Sequence, residues 1–109
     1  MKEDLRRTPW NRLAVRFRVP ESTGVYLVGA GPGRLPRDVL LVGSATNLRA
    51  RLLELFEHDD LSRLSARAVH WVADLSVEQA RLAERLFSRR YDPPIRSEAR
   101  SRYDDILAG

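Results

Sequence analysis

Tyr26, Arg51 and Glu84 are the residues of this chain whose types and positions offer chemistry. A phenol can donate or accept a hydrogen bond, a guanidinium grips phosphate through two of them, and a carboxylate suits hard cations. Each stands beside an apolar segment, so the three could turn into one cleft and line a single concave face. Each also has an ordinary reading. Tyrosine is a common strand residue, and arginine or glutamate on a helix usually faces solvent.

The elements that must position them follow from the surrounding pattern. Gly24 to Val28 and Val39 to Val42 are β-rich runs, and the Gly/Pro-rich stretch from Gly29 to Asp38 predicts a hairpin loop between them. Ser44 to Asn47 supply helix caps, and Leu48, Leu52, Leu55 and Phe56 fall on one helical stripe. A third strand is expected over Ala66–Ala73. Ser76 and Gln79 have the spacing of a capping box opening a helix that runs to Arg89-Arg90 and stops at Pro93-Pro94. A last helix is expected over Ser97–Leu107. Residues 1 to 20 are basic and mixed, with Trp10, Leu13, Val15 and Phe17 alternating against Arg12, Arg16 and Arg18 near the end and Pro20 closing the segment, which suits a lead-in strand or an ordered arm. The order predicts an α/β (α+β) fold, a small antiparallel three-stranded sheet flanked by helices, as one domain over residues 1–109.

Composition narrows the function classes. With 109 residues, 43% hydrophobic and 31% charged, the chain has material for one modest core and is neither disordered nor fibrous. There is no cysteine, which excludes disulfides, thiol nucleophiles and cysteine-ligated metals. Only His58 and His70 remain as nitrogen ligands, so a metal here would be of the magnesium, manganese or calcium type, held by oxygen. No apolar run approaches the ~18 residues that span a bilayer, and the N-terminus has no hydrophobic stretch. The expectation is a cytoplasmic protein with no membrane contact. The net charge is +4 and Lys2 is the only lysine, so arginine carries the positive charge. That composition suits a polyanion, and arginine bias across a whole genome would produce it equally well.

Taken in order, Gly24-Val25-Tyr26, Leu41-Val42-Gly43, Asn47-Leu48-Arg49-Ala50-Arg51, and Glu84 seven residues ahead of Tyr91-Asp92-Pro93-Pro94 resemble the GIY-YIG nuclease domain. The approach Val19-Pro20-Glu21-Ser22-Thr23 is similar to that of the incision nucleases of bacterial nucleotide-excision repair. The resemblance covers residues 17 to 96. It implies a metal-dependent endonuclease that hydrolyses DNA phosphodiesters. Tyr26 would help activate the nucleophile, Arg51 would steady the attacked phosphate, and Glu84 would bind Mg²⁺ or Mn²⁺. Arg49, Arg89, Arg90 and Arg96 would be the DNA contacts.

Three positions depart from the family pattern. Leu41 stands where the second tyrosine is expected, Leu55 where histidine or tyrosine is frequent, and Arg96 where an asparagine closes the last motif. They imply a second reading, a catalytically inactive domain of the same fold that binds DNA or a protein partner. Other polar residues have plainer expectations: His70 as a packed or edge strand residue, His58-Asp59-Asp60 as a polar helix terminus rather than a metal cluster, and Gly29 to Gly33 as a hairpin tip.

Overall fold

Thr8 and Trp71 lie far apart in the sequence, yet the Trp71 indole Nε1–H donates to Thr8 Oγ1 at 2.9 Å in the buried interior. This bond fastens a strand that the sequence pattern does not reveal. The computed structural model describes residues 5–32 and 36–95, and in chain order its elements begin with β1 (Arg6–Pro9) and α1 (Arg12–Arg18). The hairpin strands β2 (Gly24–Gly29) and β3 (Val39–Ala45) follow, then α2 (Leu48–Leu55), the short α3 (Asp59–Arg63), β4 (Ala68–Val72) and α4 (Val77–Tyr91). All pairings are antiparallel, in the order β1-β4-β2-β3.

The sheet therefore has four strands where three were expected. Four residues carrying Arg6, Arg7 and Pro9 give no apolar alternation, and β1 exists because β4 offers it a free edge. Within residues 1–20, expected as a lead-in strand or an ordered arm, Arg6–Pro9 is a strand while Arg12–Arg18 is a helix. Asn11 caps it by accepting from the Ala14 N–H at 2.7 Å. Of its apolar residues only Val15 is buried, while Leu13 and Phe17 are 67% and 76% exposed, so the alternation there does not report a sheet face. The helix expected over 97–107 lies outside the described residues.

Helices cover both faces of the sheet, which explains why β2 is buried along its whole length and reads as a continuous apolar run. On one face Tyr26, Val28, Val69 and Trp71 pack with Val15, Val19, Leu48, Leu52, Leu55 and Leu61. On the other, Leu27, Val39 and Val42 meet Phe87 and Tyr91 of α4. The predicted capping box forms in full: Ser76 accepts from the Gln79 N–H, and the Gln79 side chain accepts from the Ser76 N–H. Gly24 fits closely for a reason visible only in three dimensions, since a Cβ there would collide with the Val72 carbonyl and lie 2.6 Å from Leu48.

Candidate functional site

The site grows from the register of β2. Tyr26 pairs with Trp71 of β4 on one side and Gly43 of β3 on the other. Its fully buried ring lies across Gly43, where a Cβ would run into the phenol, and so reaches toward β3, an edge strand of the sheet. Arg51 meets it there. Asn47 starts α2 by accepting from the Ala50 N–H at 3.0 Å, and one turn later Arg51 Nε donates to the Tyr26 hydroxyl at 3.4 Å. Arg51 Nη1 also donates to Glu54 at 3.1 Å. Burial works against the guanidinium's charge, but the Tyr26 phenol and the Glu54 carboxylate outweigh it, so Arg51 is held above the usual arginine range and remains a cation. The result is a half-buried guanidinium held in place by the hydroxyl of a fully buried phenol, and a guanidinium of this kind suits an oxyanion such as a phosphate.

Glu84 arrives from the other side. Along α4, Ala80, Glu84, Phe87 and Tyr91 form the stripe that faces the sheet, and Glu84 is only 7% exposed. Its carboxylate accepts from Ser44 Oγ at 2.6 Å. Ser44 pairs with Val25, whereas Tyr26 pairs with Gly43, so strand alternation sends Ser44 and Tyr26 to opposite faces. The expectation that the three candidates line one concave face is corrected accordingly. Tyr26 and Arg51 are brought together on the α2 face, and Glu84 stands on the α4 face. Tyr26 lies against Gly43 and Glu84 against Ser44, neighbouring residues of an edge strand.

The remaining candidates are dispersed. Arg49 is turned inward to the chain itself: Nε donates to the Val19 carbonyl and Nη1 to Glu21, both at 2.8 Å, which ties α2 to the loop before β2. Arg89 and Arg90 are exposed on the last turn of α4, Arg90 lying over the Tyr91 ring. Arg96 lies outside the described residues. Leu41 and Leu55 are buried in the apolar core. His58 stands at the N-cap position of α3 and lines a cavity of about 220 Å³ with Trp10, Phe56 and Leu61, a cavity that touches none of the three candidates. Asp59 and Asp60 occupy the first turn of α3, as acidic residues at a helix N-terminus do. His70 is a packed residue of β4. Among the described residues no group of three His, Asp or Glu side chains could hold a metal.

Pattern reading presents Ser44 as a helix-cap residue and Gly43 only as part of the Leu41-Val42-Gly43 motif; it does not foresee the contacts of Ser44 with Glu84, Gly43 with Tyr26 and Glu54 with Arg51. A signal for Ser44 existed: it alternates with Val42 on the strand face that α4 covers. Comparison with family models, with curated proteins and with solved structures gives no match. No helix among the described residues is long and apolar enough to cross a membrane.

Proposed function

We propose that this chain is a GIY-YIG-type DNA-binding domain whose phosphate contact is the Tyr26–Arg51 pair. One observation carries the reading: Arg51 Nε donates to the Tyr26 hydroxyl, so a half-buried cation is held beside an edge strand by a fully buried phenol from a separate element. A phosphate reaching Arg51 would meet a planar guanidinium whose orientation the buried Tyr26 hydroxyl fixes. Arg89 and Arg90 would add contacts that hold the duplex without reading its sequence.

Hydrolysis of the phosphodiester is the second reading, and Glu84 is the observation in its favour. Its carboxylate and the Ser44 hydroxyl are hard oxygen donors, the kind that Mg²⁺ or Mn²⁺ accepts with water and substrate phosphate in the other positions. Such a cation, when bound, supplies charge stabilisation at the phosphoryl oxygens. Tyr26 and Arg51 would orient the phosphate, and Tyr26 would accept or hold a proton at its hydroxyl. This reading takes second place because Glu84 lies on the other face of the sheet and because Leu41 and Leu55 contribute no acid–base group.

The test has two arms. In the first, a short duplex is titrated with the parent protein and with Arg51→Ala at low salt. The parent should bind with a dissociation constant on the order of 10⁻⁴–10⁻⁶ M near physiological salt, and more tightly as salt falls. No binding at any salt, or equal binding by Arg51→Ala, would remove the reading. In the second, plasmid is incubated with Mg²⁺ or Mn²⁺ beside Glu84→Ala and a chelated control. Metal-dependent nicking that disappears in Glu84→Ala supports the enzyme. Its absence on plasmid, single-stranded and branched DNA leaves the binding domain.

A further inference from the structure

Arg51 divides its guanidinium between two partners of very different character. Nε serves the buried Tyr26 hydroxyl, while Nη1 is paired with Glu54, whose side chain is 68% exposed. Glu54 sits one helical turn beyond Arg51, so its charge stands beside the guanidinium. An ion pair with one partner in water is weak and can be exchanged for a stronger acceptor. The guanidinium offers two bidentate edges, Nε with Nη2 and Nη1 with Nη2; Tyr26 faces the first and Glu54 the second, so a phosphate that takes the outer edge competes with Glu54 for Nη1.

We propose that Glu54 is a specificity-determining residue of the phosphate site, occupying Nη1 of Arg51 and repelling anions that carry too few charges to displace it. A single free phosphate gains little beyond what Glu54 already supplies. A nucleic-acid strand, attracted by several arginines at once, overcomes the local repulsion and takes the position over. Glu54 thereby selects polyanions over monoanions of the same phosphate chemistry. The inference rests on the phosphate-binding reading of Tyr26 and Arg51.

The experiment measures a labelled duplex, and inorganic phosphate as its competitor, against the parent, Glu54→Gln, Glu54→Ala, Arg51→Ala and Glu78→Gln. Glu78 is exposed in the first turn of α4 and controls for the change in net charge. Glu54→Gln and Glu54→Ala should tighten duplex binding about 2–5-fold at low salt, with the gain shrinking as salt rises. Inorganic phosphate should compete more effectively with the duplex on both variants than on the parent, and Glu78→Gln should match the parent. Unchanged or weaker binding by the Glu54 variants, with Arg51→Ala still impaired, would overturn the proposal and make Glu54 an orienting partner of Arg51. Equal effects of Glu54→Gln and Glu78→Gln would overturn it in favour of overall charge. Full binding by Arg51→Ala would instead remove the site itself.

Discussion

Tyr26 lies across Gly43, its register partner on the edge strand β3, and the absence of a side chain at Gly43 is what lets the phenol reach Arg51. Gly43→Ala should therefore displace the Tyr26 ring from a packed core. A cost of about 1–3 kcal/mol is expected from such overpacking. Urea unfolding measures it, and on the proposed DNA-binding reading the same variant should lose affinity, as should Arg51→Ala. A stable Gly43→Ala protein with full affinity would show that the Tyr26–Arg51 contact is not needed.

On the other face of the same strand, Ser44 donates to a carboxylate that is almost wholly buried. Ser44→Ala removes one donor from Glu84, and a bond to a charged group of this kind contributes about 1.5–3 kcal/mol. Stability should fall by an amount in that range. A double-mutant cycle with Glu84→Gln checks the assignment: independent effects would mean that the two side chains do not stabilise one another.

Arg49 and Arg51 stand two residues apart and should behave oppositely. Arg49→Ala breaks the tie to the Val19 carbonyl and Glu21, lowering stability by about 1 kcal/mol with little change in DNA affinity. Arg51→Ala should weaken binding and flatten the slope of log affinity against log salt by about one, the signature of a lost phosphate contact. Thermal melts and salt titrations of both variants separate the roles. An Arg49→Ala protein of parental stability that binds poorly would reverse the assignment.

The fourth strand has its own test. Thr8→Val keeps the shape of the side chain and deletes the acceptor for the Trp71 indole, leaving a buried N–H without that partner. About 1–3 kcal/mol of stability should be lost. Hydrogen exchange at the β1–β4 pairing should rise well before exchange at the β2–β3 pairing. Uniform exchange across the sheet would show that β1 is not a separately held edge.

Local signals determined much of this molecule. The capping box at Ser76 and Gln79, the Asn47 cap, the Leu48-Leu52-Leu55 stripe and the apolar runs of β2 and β3 depend on contacts within a few residues, so the sequence order alone displays them. The Gly24-Val25-Tyr26 and Arg51 positions were legible for the same reason, each being fixed to its own strand or helix. Three things were decided by tertiary structure. β1 forms because β4 presents an unpaired edge, and Arg6–Pro9 carries no pattern of its own. Arg49 becomes a tie rather than a surface cation because Val19 and Glu21 arrive beside α2 through the fold. Glu84 is placed opposite Tyr26 because the one-residue offset between Gly43 and Ser44 reverses the face of the sheet, and that offset depends on the register between strands, which no single strand encodes.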